Sequence, residues 1–266
     1  MTAFPLVAVD PASRRHIAAS LTCADIVDAL GRRHRHRAHL RDLTSPTPGQ
    51  ILFGQAITIS YFPSCSTGVD PATHTFGALF ERPSAPTEKV LVLASNGYAE
   101  TSVGGGTKMV RLEHHRLAGL LTDARLRDFT ELSQYSFAAY CSGETVRWGG
   151  DEITPYQANV PVVLRGGVGV HPGQYVFADA SGAVVIPEAE IDDVLSDALE
   201  IRAQDAHTRE QIAAERRATT NSGKTFTGKP STRIRIRAHA RSQRKGRGTR
   251  LDAAAGYPNP GQPAEG

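Results

Sequence analysis

The sequence predicts an α/β fold, with one compact domain over residues 1–218 and a disordered basic tail over residues 219–266. Two observations carry this expectation. Up to residue 217, short apolar or β-branched runs alternate with segments of helical periodicity. Beyond Thr219, Gly, Ser, Thr, Pro and Arg dominate, so the tail offers little apolar surface to offset the entropy of ordering it.

Charge divides the chain at nearly the same place. Residues 1–215 carry 18 basic and 25 acidic side chains, whereas residues 216–266 carry 12 basic and 2 acidic ones. The basic segments Arg233–Arg237 and Arg244–Arg247 could neutralise phosphates. The only aromatic residues of the tail, Phe226 and Tyr257, offer little base stacking. Nucleic-acid binding by the tail is therefore a secondary alternative.

Composition excludes several other classes. With 40% hydrophobic and 21% charged residues, the chain suits a globular protein with a real core. No run approaches the roughly 18 apolar residues of a membrane helix, and the sequence does not begin with a signal-peptide pattern. Three widely spaced cysteines argue against a disulfide framework or a thiolate zinc site. We expect a cytoplasmic protein without membrane contact.

The apolar pattern orders the elements of the domain. It predicts a helix from Thr22 to Gly31, a strand over Ile51–Tyr61 broken by Gly54, a short helix over Asp70–Phe80, a strand over Lys89–Ala94, a helix over Lys108–Leu117 and a strand over Ala118–Asp123. The last three form a βαβ unit. Short strands at 160–164, 168–170, 175–178 and 183–186 follow, and a long helix covers about residues 188–217.

Several segments follow one another in an order typical of a known family: Ala24–Leu30, Gly54–Ile59, Ala118–Asp123 with Arg127-Asp128 behind it, Gly166–Gly173 and Asp179–Pro187. They resemble the RraA-like family, named for regulator of ribonuclease activity A. This family includes 4-hydroxy-4-methyl-2-oxoglutarate/4-carboxy-4-hydroxy-2-oxoadipate aldolases and oxaloacetate decarboxylases. Pattern and resemblance together imply a single domain with a mixed central sheet flanked by helices (the RraA-like α/β/β/α sandwich) and a long C-terminal helix.

The resemblance gives Arg127 and Asp128 the central roles. The planar fork of Arg127 would hold the carboxylate of a 2-oxo acid, and Asp128 would offer hard oxygen to Mg²⁺ or Mn²⁺. An Arg-Asp pair is also a common surface feature, but its place just after a predicted buried strand favours a ligand site.

A glycine-rich turn supplies the other half of the expected site. The resemblance implies that the backbone N–H groups of Gly105, Gly106, Thr107 and Lys108 bind the substrate, although a flexible linker would have the same composition. One position departs from the family pattern: Gly106 stands where the aldolases carry an acid that serves proton transfer. Lys108, Glu113 and His114 are neighbours that could replace the acid, or they could be solvated helix residues.

The resemblance also implies a homo-oligomer, a trimer or a hexamer, with sites between subunits. In the family, the long C-terminal helix presents an acid to the neighbouring site. Asp205 is our candidate for that acid and Glu200 is the alternative, while an exposed helix charge would look the same.

The function implied is a divalent-metal-dependent C–C lyase, an aldolase or a decarboxylase, that acts on a small 2-oxo acid through a metal-stabilised enolate. The alternative is a non-enzymatic, protein-binding regulator of the RNase-inhibitor type. Substrate preference would be set by loops such as Arg32–Arg41, Pro63–His74 and Gly143–Tyr156. The first of these is densely basic, which fits a solvated loop or helix edge or, alternatively, an anion-binding segment.

Overall fold

A mixed eight-stranded sheet forms the centre of the computed structural model, which describes residues 9–33, 38–64, 70, 74–77 and 87–221. Contacts divide the chain into two units, residues 1–218 and 219–266. Apart from the last turn of the long helix, all described residues belong to the first unit. From residue 222 on, the tail that we expect to be disordered lies outside the described residues, so that expectation stays a prediction.

Five α-helices are described: α1 Pro11–Ala18, α2 Cys23–Arg33, α3 Gly106–His114, α4 Phe129–Leu132 and α5 Ile191–Asn221. The strands are β1 His39–Leu40, β2 Leu52–Pro63, β3 Val90–Ala94, β4 Ser102–Gly104, β5 Gly119–Thr122, β6 Arg125–Leu126, β7 Ala138–Tyr140, β8 Ile153–Ala158, β9 Val162–Leu164, β10 Val168–Val170, β11 Tyr175–Asp179 and β12 Gly182–Ile186. No described helix is long and apolar enough to cross a membrane.

Strand β2 joins two halves of the sheet, whose order is β1-β12-β11-β2-β3-β5-β7. The first residues of β2 pair antiparallel with β11, its middle pairs parallel with β3, and its end pairs antiparallel with β8. The strands β3, β5 and β7 continue in parallel. The predicted βαβ unit is therefore present as β3, α3 and β5, and the predicted mixed sheet is confirmed.

Three apolar cores cover the sheet. Helices α1, α2 and α5 pack on the antiparallel half, where Phe177 and Ile186 are buried. Helices α3 and α4 pack on the parallel half against residues such as Leu91 and Leu93. Alternate residues of the same strands, such as Val90, point to the third core, which also includes β9 and β10. This alternation follows from the period of two in a strand.

Gly54 does not break β2, contrary to our prediction. The strand runs through it, and Gly54 pairs with Val176 of β11. A Cβ atom here would lie 2.7 Å from the carbonyl oxygen of Glu88. Glycine is needed here because another backbone segment approaches closely. A glycine inside a strand can mark such an approach as well as a break in the strand.

Ion pairs join the first two helices to α5. Arg14 makes a bidentate pair with Asp192, with distances of 2.7 and 2.8 Å. Arg33 pairs with Asp193 and Asp197. Arg33 belongs to the basic segment 32–41, so part of that segment is a helix edge that holds α5. Residues 34–37, and most of the predicted helix 70–80, lie outside the described residues.

Candidate functional site

Two short parallel strands bring the predicted site together. Strand β4 pairs with β6, and the backbone N–H of Arg127 donates to the carbonyl oxygen of Gly104 at 2.9 Å. These strands place the turn at residues 104–106 directly beside Arg127 and Asp128. Neither strand was predicted, because each contains only two or three residues and forms through long-range pairing.

The carboxylate of Asp128 caps helix α3. The backbone N–H of Gly106, the first residue of α3, donates to Asp128 Oδ2 at 3.1 Å. A carboxylate is stabilised at this end of a helix by free N–H groups and by the helix dipole. Asp128 itself has a φ of 63°, in the left-handed region that asparagine and aspartate tolerate best among non-glycine residues.

Glycine is required at position 105 for this contact. A Cβ atom on Gly105 would lie 2.5 Å from Asp128 Oδ2 and 3.1 Å from the Cβ of Arg127. The glycine turn is therefore a close-packed part of the site, which argues against the alternative of a flexible linker.

A cavity of about 230 Å³ opens at this place. Its walls contain the predicted residues Gly105, Thr107, Lys108, Arg127 and Asp128, together with Ser102, Gly104, Trp148, Gly149 and Gly150. Gly106 does not line the cavity but lies buried behind it. The structure thus brings together every predicted site residue of the domain except the candidate acids of α5.

Two cationic side chains of the cavity lack an acidic partner. Among the residues that the structure describes, no carboxylate forms an ion pair with Arg127 or with Lys108. Lys108 Nζ lies 3.5 Å from the carbonyl oxygen of Val103 and 5.9 Å from the ring centroid of Phe76. Burial of the ammonium group lowers the pKa of Lys108. Two unpaired cations at one cavity favour an anionic ligand.

Backbone donors add to this positive potential. The first N–H groups of a helix have no acceptor inside the helix. In α3, Asp128 satisfies the N–H of Gly106, and the N–H groups of Thr107 and Lys108 follow it in the first turn. Free N–H groups beside a cationic side chain form an anion-binding surface.

The opposite wall comes from a loop whose role was not predicted in detail. Trp148 is the single tryptophan of the chain and is 63% exposed, and its ring covers Gly150. A Cβ atom on Gly149 would overlap the backbone of Ser102. Arg147 pairs with Glu152, which also accepts a hydrogen bond from Thr101. The Trp-Gly-Gly run within the 143–156 loop is the sequence feature that could have indicated this wall of the cavity.

A second glutamate holds the turn that carries Asp128. The carboxylate of Glu144 accepts a hydrogen bond from the backbone N–H of Phe129 at 2.9 Å. Phe129 follows Asp128 at the start of α4, so Glu144 satisfies a free amide of that helix and fixes the direction of the turn. Nothing in the sequence pattern singled out this residue.

The residues that could replace the expected acid differ in position. Lys108 lines the cavity, whereas Glu113 accepts hydrogen bonds from the N–H and hydroxyl of Ser136. The ring of His114 packs edge-on against that of His115. Glu113 and His114 are thus structural residues of α3.

The candidate acids of α5 stand apart from this cavity in the single chain. Glu200 accepts a hydrogen bond from Gln204 and lies 3.6 Å from Arg32. Asp205 is exposed on α5. Their expected place is the site of a neighbouring subunit, so their role stays a prediction.

The donor set fits a hard divalent ion held by few protein ligands. Asp128 Oδ2 is occupied by the Gly106 amide, and Oδ1 accepts no hydrogen bond from the described residues. No group of three or more His, Cys, Asp or Glu side chains suited to a metal occurs in the described part of the chain. Mg²⁺ and Mn²⁺ sites commonly use one or two carboxylates, with water and ligand oxygens completing the shell.

Comparison with known proteins identifies relatives of this chain. The model of a family described as "RraA-like: Aldolase/RraA" matches residues 23–185, more than half of the chain. The protein DlpA of Legionella pneumophila is 25% identical over 195 residues, which are 73% of this chain and 30% of that protein. A Halalkalibacterium halodurans protein named "Putative 4-hydroxy-4-methyl-2-oxoglutarate aldolase" is 28% identical over 116 residues.

Coverage of these relatives is partial. The aligned part of the Halalkalibacterium protein is 44% of this chain and 54% of that protein, so the chain spans about a third and about half of these two relatives. Among solved structures, Streptomyces coelicolor RraAS2, described as an unusual member of the RNase ES inhibitor RraA family, has a TM-score of 0.66 at 24% identity. That match covers 77% of this chain and all of the other, and it shows a shared fold.

Proposed function

Because the chain belongs to the RraA-like family, we propose that it is a divalent-metal-dependent C–C lyase that cleaves a small 2-oxo acid in the cavity at Arg127 and Asp128. One observation carries the proposal. Arg127 has no ion-pair partner among the described residues, although it lies in a cavity beside Lys108 and the first turn of α3. An arginine left unpaired at such a place is available for a ligand carboxylate.

The residues divide the work of binding. Arg127 grips the carboxylate of the 2-oxo acid through two parallel hydrogen bonds. The N–H groups of Thr107 and Lys108 face the same anion, and the ammonium of Lys108 adds positive charge. Asp128 would hold Mg²⁺ or Mn²⁺, which supplies Lewis-acid stabilisation of the charge that develops on the 2-oxo oxygen.

Cleavage of the C3–C4 bond leaves the enolate of pyruvate, whether the substrate is a 4-hydroxy-2-oxo acid or oxaloacetate, which loses its C4 carboxylate as CO₂. Arg127, Lys108 and the helix amides are fixed before the reaction and stabilise that charge. The cavity of about 230 Å³ suits a small ligand. The name of the Halalkalibacterium relative supports the aldolase form of the reaction.

The proposal includes an oligomer, a trimer or hexamer, in which Asp205 or Glu200 of a neighbouring subunit approaches the site. The support is the surface of α5: residues 202–211 are all exposed in the single chain. A helix that is solvated on all sides is stabilised by a partner or by local pairs. Light scattering, together with assays of Asp205→Asn and Glu200→Gln, tests this part.

The test is pyruvate release from oxaloacetate and from 4-hydroxy-2-oxo acids, first with Mg²⁺ and then with EDTA. Arg127→Lys keeps the positive charge but loses the planar guanidinium group that makes two parallel hydrogen bonds. Asp128→Asn loses the carboxylate. We expect turnover to require the metal and to fall at least about 100-fold in each variant. Arg116→Lys and Asp28→Asn, at exposed positions outside the cavity, are matched controls. Full activity in both site variants would refute the proposed site.

The alternative is a protein-binding regulator without enzymatic activity. Its support is a pair of exposed apolar side chains two residues apart in the loop that forms one wall of the cavity: Val146 is 97% and Trp148 63% exposed. Exposed apolar side chains next to each other are typical of interaction sites. A folded protein that shows no turnover with any 2-oxo acid, with or without metal, would favour this alternative.

A further inference from the structure

The two walls of the cavity differ in charge. Its charged lining residues, Lys108, Arg127 and Asp128, belong to the first turn of α3 and to the segment that follows β6. The other wall, residues 148–150, contributes one indole ring and two glycines, so it carries no charged side chain. Such a cavity suits a ligand with an acid at one end and an uncharged group at the other.

The polar side chains next to the uncharged wall are already engaged. Arg147 precedes Trp148 in the sequence, but it forms an ion pair with Glu152 and does not line the cavity. The hydroxyl of Ser102 donates to the carbonyl oxygen of Gly104 at 2.8 Å. A second carboxylate on the ligand would therefore find no free cation at this wall among the described residues, and burying it there would cost free energy.

The indole of Trp148 is held in place before a ligand arrives. Its six-membered ring packs on Gly150, where a Cβ atom would overlap three ring carbons. The backbone N–H groups of Glu152 and Ile153 donate to the carbonyl oxygen of Gly149 at 3.1 and 2.9 Å, so the turn after the tryptophan is closed. An aromatic surface that is already fixed loses little conformational entropy when it binds a ligand.

The exposed part of Trp148 leaves room for a flat group at the mouth of the cavity. The residue is 63% exposed although it lines the cavity, whereas tryptophan is on average highly buried. The cavity volume of about 230 Å³ lies below the range of about 300–1,000 Å³ that is typical of pockets enclosing a drug-sized ligand. The cavity therefore suits the 2-oxo acid end alone, and a substituent would reach the indole, on which an aromatic ring can stack.

We propose that Trp148 determines substrate specificity and that the substrate is a 4-hydroxy-2-oxo acid with an aryl group at C4; the inference rests on the proposed lyase function. Arg127 holds the C1 carboxylate, and the aryl group stacks on Trp148. When the C3–C4 bond breaks, C4 and its hydroxyl oxygen become an aryl aldehyde. The bonding electron pair stays on C3 as the enolate of pyruvate. The 4-hydroxyl group loses one proton and C3 gains one, so no further reactant is needed.

Three substrates that differ only at C4 provide the first test. 4-Hydroxy-2-oxo-4-phenylbutanoate carries a phenyl group there, 4-hydroxy-2-oxopentanoate a methyl group and 4-hydroxy-2-oxoglutarate a carboxylate. With Mg²⁺, we expect kcat/KM for pyruvate release to be at least about tenfold higher for the phenyl compound than for the other two. A wild-type protein that prefers the carboxylate compound, or that does not discriminate, would overturn the inference.

Variants at position 148 separate stacking from the intrinsic reactivity of the three substrates. Trp148→Ala should lose about tenfold or more in kcat/KM for the phenyl compound and change little for the methyl compound, while Trp148→Phe should keep most of the preference. Trp148→Arg places a cation at the uncharged wall and should shift the preference toward the carboxylate compound. Val146→Ala, at an exposed apolar position outside the cavity lining, is the matched control. Circular dichroism establishes that each variant is folded.

Binding of compounds that cannot be cleaved keeps the two proposals distinguishable. 2-Oxo-4-phenylbutanoate and 2-oxoglutarate lack the 4-hydroxyl group, so isothermal titration calorimetry measures their affinities without turnover. If the phenyl compound binds more tightly and loses this advantage in Trp148→Ala, but no 4-hydroxy-2-oxo acid is cleaved, only the proposed lyase function fails. If all three substrates are cleaved with the same preference in Trp148→Ala as in wild type, only the role of Trp148 fails. Neither binding nor cleavage would overturn both.

Discussion

Asp128 and Gly106 are joined by a hydrogen bond that links the proposed metal ligand to the start of helix α3. The Gly106 amide donates to Asp128 Oδ2 at 3.1 Å, so the carboxylate that we assign to the metal is also the cap of helix α3. The distance between the glycine turn and the Arg127-Asp128 pair is thereby fixed before any ligand arrives.

This double role predicts that the two functions of Asp128 can be separated. Asp128→Asn keeps an acceptor for the Gly106 amide and tolerates a positive φ, so the free energy of unfolding should change little. Asp128→Ala loses the cap and strains the backbone, and should cost about 1–2 kcal/mol. Urea unfolding measures both. Equal stability in the two variants would argue against the capping role, while we expect both to bind Mn²⁺ weakly.

Gly105→Ala should damage the site more than the fold. The added Cβ would lie 2.5 Å from Asp128 Oδ2, so the carboxylate must move, and a misplacement of about 1 Å can cost about 100-fold in rate. Gly169→Ala is the matched control, because a Cβ at Gly169 meets nothing within 4 Å. Pyruvate-release assays on the two variants should differ by at least about tenfold; identical rates would contradict the packing described for the turn.

Trp148 should report binding without any turnover. As the single tryptophan, it lines the same cavity as Arg127, so its fluorescence should change when pyruvate is titrated into the protein with Mg²⁺. We expect the change to disappear in Arg127→Ala, where the carboxylate grip is lost, and to persist in Arg116→Lys. A signal that survives in Arg127→Ala would place the ligand elsewhere.

The Arg14–Asp192 pair should make the free energy of unfolding depend on pH in the acid range. Its hydrogen bonds to Arg14 lower the pKa of Asp192 in the folded protein below the unfolded value of 3.8. The stabilisation is therefore complete well above pH 4 and is lost as the pH falls through the folded pKa. Asp192→Asn should cost about 1–3 kcal/mol at pH 7, and its deficit against wild type should shrink at low pH. A constant deficit in urea unfolding between pH 7 and pH 3 would contradict this assignment.

Local pattern was enough to predict the long elements, whereas the centre of the candidate site was predicted from the family resemblance. The apolar runs that became β3 and β5 are covered on both faces, and such strands carry a strong sequence signal. Strands β4 and β6 carry none, since their two or three residues are fixed by pairing across the fold. The same limit applies to the close packing of Glu131 against Gly106, which joins residues that are 25 positions apart in the sequence.

Strand β2 also couples the unfolding of the two halves of the domain. Residues 52–55 of β2 pair antiparallel with β11, residues 56–60 pair parallel with β3, and residues 59–63 pair antiparallel with β8, so one continuous strand carries hydrogen bonds of both halves. Protons on the amides of residues 56–60 should therefore exchange with solvent only when the whole domain unfolds. The helices that carry the proposed oligomer contact and the turn that carries the proposed chemistry would then be lost together, as one cooperative unit.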